Sequence, residues 1–516
     1  MTTPIQQNLV REPTPRGLAM VRTRTVIGIE AIPVEVEVHL ANGLPGFSTV
    51  GLPETAVRES KDRVRGALIN SGFEFPAKRI TVNLAPADLP KSGGRFDLPI
   101  AIGILLASGQ LAAETIEQCE LVGELALDGS LRPVFGTLPT AISSAAQGRT
   151  LIVPQGNAAE ASLAGASAAC HATHLLGVCA HLAGLAALPS CRNSHAVPAR
   201  DRYPDMSDVK GQPQARRALE LAAVGAHSLL MMGTPGSGKS MLANRLPGIL
   251  PPLTRQQALE TAAIRSVASG HLDMALWRQR PFRNPHHSAS AVALVGGGSN
   301  PRPGEISLAH NGVLFLDELT EFSRATLEHL REPMESGSIN IARAQRSVRY
   351  PAKFQLVAAY NPCPCGFYGD ESERCDCSAT QVRTYQHRLS GPLLDRIDIQ
   401  LRLGRVDSRL LHGHQVDEES SAVIAARVVN ARQLQLDRQG ILNSELRGDA
   451  LSRYCELDSA THAFLDTACQ RLQLSARAYH RTLKLARSIA DMEGALIISK
   501  AHVAEAVSYR SLDRPL

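Results

Sequence analysis

The chain has 516 residues, of which 44% are hydrophobic and 20% charged, and its formal net charge is +5 at pH 7. This length allows about two or three domains with their own cores, and the composition excludes a disordered or fibrous protein. The mildly basic balance permits nucleic-acid binding but does not require it. Leu98 to Ser108 is the longest apolar run and is too short to cross a bilayer, and the first 20 residues hold no apolar signal core. We therefore expect a cytoplasmic protein that does not contact membranes.

Residues 21–185 form the first predicted domain, after a flexible N-terminus at residues 1–20. Val34 to Val38 alternates in the manner of a strand, and Ala56 to Ser71 has the pattern of a helix. Residues 186–206 contain three Pro and several Arg, which predicts a linker.

Two segments of the first domain, residues 90–97 and residues 123–134, carry a family resemblance. On these segments the domain resembles the proteolytic domain of Lon. The first segment falls where Lon-type proteases present their nucleophilic serine, and the second where the strand of the catalytic lysine begins. Ser–Lys catalysis needs an exposed Ser beside a Lys that can lose its proton. No Lys occurs from Ser92 to Val209, and Lys91 is a direct neighbour of Ser92, a placement in which two side chains rarely face each other. We expect a non-proteolytic scaffold or partner-binding domain.

A glycine-rich segment lies between an apolar run, residues 229–232, and a helical one, residues 241–245. Its members are Gly233, Thr234, Pro235, Gly236, Ser237, Gly238, Lys239 and Ser240. The order of strand, glycine-rich turn and helix is that of a phosphate-binding loop, whose backbone N–H groups surround an anion at a helix N-terminus. Lys239 is expected to reach the β- and γ-phosphates of ATP, and the Ser240 hydroxyl to bind Mg²⁺.

Between Lys239 and Asp317 the chain is long for the helix and strands that would join them. Ala289 to Pro303 reads as an inserted loop, with a glycine triplet and Arg302.

Gly312 to Glu318 has apolar residues followed by two acids, which predicts a buried parallel strand with carboxylates at its C-terminal end. Asp317 is expected to hold Mg²⁺, directly or through water. Glu318 is expected to orient and deprotonate the attacking water. By itself the pattern equally fits an ordinary strand before an acidic helix start, and the phosphate loop favours the catalytic interpretation.

Ser338 to Arg349 alternates about a central turn and predicts a β-hairpin. Arg343, Arg346 and Arg349 could bind DNA phosphates without reading sequence. A solvated charged hairpin is the alternative.

Phe354 to Asn361 predicts a third strand that ends in a polar residue. Asn361 could hydrogen-bond the γ-phosphate or the attacking water, or could simply begin a turn before the next proline. Arg396 follows a turn in an apolar segment and is the candidate arginine finger, supplied to the ATP of a neighbouring subunit. A structural Arg paired with Asp395 or Asp398 is the alternative.

Four cysteines form two C-x-C pairs, nine residues apart, in a polar loop; they are Cys363, Cys365, Cys375 and Cys377. Four thiolates could surround one Zn²⁺, and a metal would stabilise a loop that is too polar to have its own core. Four reduced thiols or a redox pair remain open.

The remaining chain, residues 406–516, is predicted to be a helical domain, with helices over Ala460 to Leu472 and Ala478 to Ala490.

Four segments besides the phosphate loop carry a family resemblance: Asp208 to Gln212, Arg283 to His287, Pro303 to Gly312 and Ser475 to Arg481. The chain resembles the YifB/ComM family of magnesium-chelatase-like AAA+ ATPases over about residues 20–510. The resemblance implies an α/β fold with an AAA+ P-loop ATPase core at residues 207–405, an N-terminal Lon-protease-like domain and a C-terminal helical lid.

In such ATPases an Arg at the place of Arg477 reaches the γ-phosphate from the lid, although a solvated helix Arg fits the residues as well. For His286 and His287 the sequence leaves a functional role and a structural role equally open.

The resemblance also implies a homo-hexameric motor that uses ATP and Mg²⁺ and acts on single-stranded or branched DNA. In such a ring the inserted loop from Ala289 to Pro303 could face the pore and contact DNA. Its work would be helicase-like branch migration during recombination in natural transformation. Two alternatives are a metal-chelatase motor subunit and a nucleotide-gated scaffold with little turnover. The N-terminal block argues against the first, because the chelatase motor subunit lacks that domain, and the presence of Glu318 and Arg396 argues against the second.

Overall fold

The computed structural model describes residues 17–113, 115–165, 169–192, 203–270, 272–298, 301–343, 346–370, 374–405, 418–510 and 512. The chain forms two compact units. Unit 1 comprises residues 1–197 and 258–277, and unit 2 comprises residues 198–257 and 278–516. Most of the expected flexible N-terminus, and residues 193–202 of the expected linker, lie outside the described residues.

Unit 1 combines strands and helices. Its strands are β1 (Leu18–Ile27), β2 (Glu30–Ala41), β3 (Gly46–Val50), β4 (Arg79–Ala85), β5 (Cys119–Leu121), β6 (Glu124–Leu125), β7 (Leu131–Arg132), β8 (Thr150–Pro154) and β9 (Ala169–Ala172). Its first helices are α1 (Thr55–Arg58), α2 (Ser60–Asn70), α3 (Asp97–Ala107), α4 (Thr137–Ala146), α5 (Ala158–Ala161) and α6 (Leu175–Leu182).

Two sheets organise unit 1, a mixed one in the order β1-β2-β4-β3 and a parallel one in the order β5-β8-β9. Helix α3 is buried along nearly its whole length, so the longest apolar run of the sequence forms a core helix. Gly103 lets this helix approach the mixed sheet, because a Cβ there would lie 2.6 Å from a methyl carbon of Val38. A buried ion pair joins Arg24 Nε to Glu120 Oε2 at 2.6 Å.

Unit 2 contains the remaining strands and all of the remaining helices except most of α9, whose residues from 258 onward belong to unit 1. The strands are β10 (Leu229–Gly233), β11 (Phe282–Arg283), β12 (Gly296–Gly297), β13 (Arg302–Pro303), β14 (Val313–Leu316), β15 (Ser338–Arg343), β16 (Arg346–Pro351), β17 (Gln355–Tyr360) and β18 (Ile399–Leu403). The helices in chain order are α7 (Pro213–Gly225), α8 (Lys239–Ile249), α9 (Arg255–Ser269), α10 (Ala291–Val295), α11 (Glu305–Leu308), α12 (Arg324–Glu328), α13 (Arg331–Ser336), α14 (Ala379–Gln386), α15 (Gly391–Leu394), α16 (Ser421–Gln439), α17 (Gly448–Tyr454), α18 (Ser459–Leu472), α19 (Ala476–Met492) and α20 (Lys500–Ser508).

One segment inside the predicted ATPase core groups with unit 1. It spans residues 258–277 and includes most of α9. The Gly136 N–H donates to the Ser266 carbonyl at 3.2 Å, and a Cβ at Gly270 would lie 2.6 Å from the Phe135 ring. These contacts attach the segment to the start of α4.

A five-stranded parallel sheet, in the order β11-β14-β17-β10-β18, forms the centre of unit 2. Every residue of β10, β14 and β17 is buried, as expected of parallel strands that are covered on both faces. The three strands predicted around the phosphate loop, the acidic pair and Asn361 are therefore confirmed. Because they are neighbours and parallel, their C-terminal ends lie side by side, where ligands of open α/β sheets bind.

The C-terminal region is helical from α16 to α20, and the two helices predicted there correspond to α18 and α19. Residues 406–417 lie outside the described residues. The predicted hairpin is also confirmed, since β15 and β16 pair antiparallel. Within the described parts of the chain, every helix falls short of the length and apolar character needed to cross a membrane.

A buried carboxylate at the start of β18 joins the sheet to α19. Asp398 Oδ1 accepts from Arg481 Nη1 at 2.5 Å, and Oδ2 accepts from the Ser228 N–H and hydroxyl, each at 2.9 Å. Burial alone would raise the pKa of Asp398, but Arg481, His227 and Ser228 stabilise the anion and hold the pKa well below its usual range.

Asp398→Asn should lower the free energy of unfolding of unit 2 by about 2–4 kcal/mol. The variant leaves the Arg481 charge unpaired, and breaking a fully buried pair costs roughly 3–5 kcal/mol, whereas Arg481 keeps some contact with water. The test is urea unfolding followed by circular dichroism. Asp466→Asn, in an exposed pair with His462, is the control and should change stability by under about 0.5 kcal/mol. Equal losses in both variants would contradict the prediction.

Candidate ATP-binding and hydrolysis site

The phosphate loop connects β10, which ends at Gly233, to α8, which begins at Lys239. Gly236 and Gly238 have φ angles of 79° and 89°, in the left-handed region that favours glycine. A Cβ on Gly233 would lie 2.6 Å from the Ser237 hydroxyl oxygen, so a larger residue would displace the loop. The loop therefore has the curved backbone at a helix N-terminus that an anion such as phosphate requires.

The Lys239 side chain lies within this loop and is mostly buried. Its ammonium donates to the carbonyls of Gly233 at 2.7 Å and Thr234 at 3.0 Å, and to Asn361 Oδ1 at 3.0 Å. Asn361 follows β17 directly, and its role could not be decided from the sequence. The structure places its amide in direct contact with the lysine of the phosphate loop.

Two residues that the sequence assigned to Mg²⁺ are in contact. The Ser240 hydroxyl donates to Asp317 Oδ2 at 2.6 Å. A hydroxyl and a carboxylate are the hard oxygen ligands that Mg²⁺ prefers, so the donor set fits the ion. Burial lowers the pKa of Lys239, and the nearby charges of Asp317 and Glu318 oppose that shift.

Glu318 has an unusual backbone for a residue with a side chain, with a φ of 52° and a ψ of 47°. The left-handed conformation costs roughly 1–2 kcal/mol for such residues, and strain of this kind is concentrated at functional sites. The side chain is half exposed, and its Oε2 lies 2.8 Å from His287 Nδ1. The carboxylate is therefore both accessible to water and held by a second side chain.

His287 is the functional candidate whose role the sequence left open. It follows β11, the strand beside β14, and its ring lies 4.1 Å, between centroids, from that of His286. Arg283, in the same segment, makes a two-point ion pair with Glu305 at 2.5 and 2.6 Å. The signal that could have found His287 is its position just after the strand that neighbours the acidic one.

Arg396 and Arg477 share a carboxylate that the sequence did not indicate. Arg396 is nearly buried; its Nη2 lies 2.7 Å from Glu335 Oε1, and its Nη1 donates to the Pro392 carbonyl at 2.7 Å. The more exposed Arg477 has its Nη2 4.0 Å from the same Glu335 oxygen. The observed partner of Arg396 is thus Glu335, while Asp398, one of the acids that the sequence offered, binds Arg481.

The cysteine and arginine candidates outside the phosphate site are placed as follows. The four sulfur atoms of Cys363, Cys365, Cys375 and Cys377 lie within 4.8 Å of one another. Arg349 and Arg302 are exposed, on β16 and β13. The side chains of Arg343 and Arg346, and residues 299–300 of the inserted loop, lie outside the described residues.

Three family models match the chain, consistent with this fold and site. They are described as magnesium chelatase, subunit ChlI, over residues 205–411, subunit ChlI of Mg-chelatase over residues 36–157, and magnesium chelatase, subunit ChlI C-terminal, over residues 418–510. The class so defined is that of magnesium-chelatase-like AAA+ proteins, which implies an ATPase.

Relatives that match nearly the whole chain show which family within this class the protein belongs to. The Salmonella typhimurium protein YifB is 52% identical over 97% of this chain and 98% of its own length. Competence protein ComM of Haemophilus influenzae is 49% identical over 97% of this chain and 99% of its own length. The chain belongs to the YifB/ComM family of magnesium-chelatase-like proteins. The magnesium-chelatase 67 kDa subunit of Chlorobaculum parvum is 29% identical, over 30% of this chain and 23% of its own length.

Lys239→Ala should weaken binding of a fluorescent ATP analogue by on the order of a hundredfold. The loop would lose an ammonium whose charged hydrogen bonds are each worth about 1.5–3 kcal/mol. Fluorescence titration measures the affinity. Lys353→Ala is the control, because Lys353 is an exposed lysine of the same unit that pairs with Glu445. Unchanged affinity in Lys239→Ala would contradict this assignment of the phosphate loop.

His287→Ala should lower the rate of ATP hydrolysis by about 10–100-fold and leave ATP-analogue affinity nearly unchanged. The imidazole contacts Glu318, the expected general base, and a misplaced carboxylate would lose part of a contribution that reaches about 10²–10⁴-fold. Steady-state hydrolysis and analogue titration separate the two effects.

His286→Ala is the matched control for His287→Ala, since the His286 ring contacts the His287 ring at a tilt of 35° and its Nδ1 is hydrogen-bonded to the Ser288 hydroxyl. It should retain most of the activity, and His287→Asn should recover part of what His287→Ala loses. Equal defects in the two alanine variants would show that the pair acts only in packing.

Proposed function

We propose that this chain is the subunit of a homo-hexameric, ATP-hydrolysing motor that acts on single-stranded or branched DNA and drives branch migration during recombination in natural transformation. The observation that carries the ATPase part is the meeting of Lys239, Ser240, Asp317, Glu318 and Asn361 at one edge of the parallel sheet of unit 2. The likeness to a competence protein over nearly the whole of both chains supports the DNA part.

Hydrolysis assigns a separate task to each of these side chains. Glu318 accepts a proton from water as the water oxygen bonds to the γ-phosphorus, and the bond from that phosphorus to the β–γ bridging oxygen breaks. ADP and phosphate are the products. Lys239 binds the β- and γ-phosphates. Because the Lys239 ammonium contacts the Asn361 amide, that amide lies beside the same phosphates. Ser240 and Asp317 would hold Mg²⁺, which supplies positive charge against the phosphate oxygens.

The arginines complete the site across a subunit boundary in this proposal. Arg396 acts as the finger for the ATP of a neighbouring subunit, and Arg477 approaches the γ-phosphate from the C-terminal helices. Glu335 pairs with both guanidinium groups in the single chain. We infer that the nucleotide competes with Glu335 for these charges when the ring assembles.

The domain assignments belong to the same proposal. Residues 21–185 form a Lon-protease-like domain without peptidase activity, residues 207–405 the AAA+ core and residues 406–516 the helical lid. The Lys91 ammonium is buried in unit 1 and donates to the Pro86 carbonyl, which supports a structural role for it. The exposed Arg349 on the β15–β16 hairpin and Arg302 are candidates for DNA phosphate contacts.

A metal-chelatase motor is the second candidate, and the descriptions of all three matching family models favour it. The N-terminal domain was expected to argue against a chelatase motor. It does not, because residues 36–157 match a family that is itself described as a chelatase subunit. Coverage favours the DNA motor, since the ComM relative matches 97% of the chain and the chelatase 67 kDa subunit only 30%.

The deciding experiment measures ATP hydrolysis and strand movement with purified protein, a four-way DNA junction and, separately, a porphyrin with Mg²⁺. We expect the junction to stimulate hydrolysis and to be resolved in an ATP-dependent way. Glu318→Gln should bind ATP and DNA but move no strand. Stimulation by porphyrin alone would favour the chelatase motor, and no turnover with any partner would favour a nucleotide-gated scaffold.

Arg396→Ala should lower hydrolysis by about 10³–10⁵-fold, because a guanidinium at the γ-phosphate stabilises the charge of the transition state. Mixing Arg396→Ala subunits with Glu318→Gln subunits tests whether the finger acts between subunits. Some mixed interfaces would pair an intact Glu318 with an intact Arg396, and activity should partly return. Activity no greater than the sum of the two variants would refute action in trans.

A further inference from the structure

Four cysteine side chains meet at the end of β17, beside the phosphate loop. The fully buried Cys363 has its sulfur 3.3 Å from that of Cys365 and 3.8 Å from that of Cys375, and the Cys365 and Cys375 sulfurs are 3.6 Å apart. With Cys377, all four sulfurs lie within 4.8 Å of one another, and all four cysteines are free. Four soft donors thus face a common centre.

The spacing of the sulfurs distinguishes between the possible uses of the cluster. A disulfide needs two sulfurs about 2.05 Å apart, and these are well beyond that distance. One tetrahedral zinc with bonds of about 2.3 Å to sulfur separates its ligands by about 3.8 Å, close to the observed values. An iron–sulfur cluster is larger than a single ion and would hold the cysteine sulfurs further apart.

A backbone contact also supports metal ligation. The Tyr368 N–H donates to the Cys363 sulfur at 3.3 Å. Such outer-shell donors stabilise the negative charge of a thiolate and orient it toward a metal. The ligand number, the spacing and this donor agree with one zinc ion.

We propose that Cys363, Cys365, Cys375 and Cys377 bind one zinc ion, and that this ion fixes the segment after β17 against the phosphate loop. Gly366 has a φ of 87°, and a Cβ on it would lie 2.7 Å from the ring of Pro235.

The segment after β17 also contains or contacts the residues expected to bind the nucleotide. Asn361, whose amide oxygen accepts from Lys239, is two residues before Cys363. The Pro362 carbonyl between them accepts from Gln386 Nε2 at 2.9 Å. Loss of the metal would release the segment that supports both the phosphate loop and Asn361, so zinc would set ATP affinity without touching the nucleotide.

The first test is metal analysis of the full-length protein. Wild type should hold about one zinc per chain. Cys375→Ser/Cys377→Ser should hold none, and the control Cys469→Ser, on α18 and outside the cluster, should keep its zinc. No zinc above background in wild type, with all four thiols reacting freely with a thiol reagent, would overturn the proposal, as would iron with acid-labile sulfide.

The second test uses wild-type protein, so it remains decisive if the double variant does not fold. A mercurial reagent should release zinc in proportion to the thiols that it modifies, and removal of the mercurial with added zinc should restore the site. ATP-analogue affinity should fall roughly tenfold on release and recover with zinc, equivalent to roughly 1.4 kcal/mol. Cobalt(II) in place of zinc should show the visible absorption of a tetrahedral thiolate site. Unchanged affinity after complete release would refute the supporting role.

Discussion

Parallel pairing of β10, β14 and β17 brings three strand ends to one edge of a sheet, and every group of the candidate site depends on it. Met232 is paired with Tyr360, so the phosphate loop and Asn361 leave the sheet at the same level. Leu316 is paired with Ala358, which places the two acids that follow it beside them. The largely apolar composition of these strands makes this arrangement stable, because each is buried on both faces.

The positive charge of Lys239 at this edge of the sheet lies close to the negative charges of Asp317 and Glu318. The Lys239 ammonium satisfies its donors with two loop carbonyls and the Asn361 amide, in a place where burial lowers its pKa. The carboxylates oppose that shift, so the lysine and the acids stabilise one another. Glu318 keeps a costly backbone conformation that presents its carboxylate to water and to His287.

Acidic side chains connect the sheet to the C-terminal helices within unit 2. Asp398 binds Arg481 of α19, and Glu335 pairs with Arg396 and, at longer range, with Arg477 of α19. The first link is deeply buried, so its removal would leave an unpaired charge in the interior. In the second link the Glu335 carboxylate is half exposed and Arg477 is exposed, while Arg396 is buried. The two links thus differ in how far their charges are removed from water.

The sequence by itself determined the phosphate loop, the acidic strand, the strand before Asn361, the β15–β16 hairpin and helices α18 and α19. Each depends on residues that are neighbours in the chain, so glycine spacing and apolar periodicity suffice to predict it. Only the tertiary structure decided the contact of His287 with Glu318, the pairing of Arg396 with Glu335 and the meeting of four thiols. These contacts join residues that are distant along the chain, and they follow from strand order and helix packing, which local patterns do not encode.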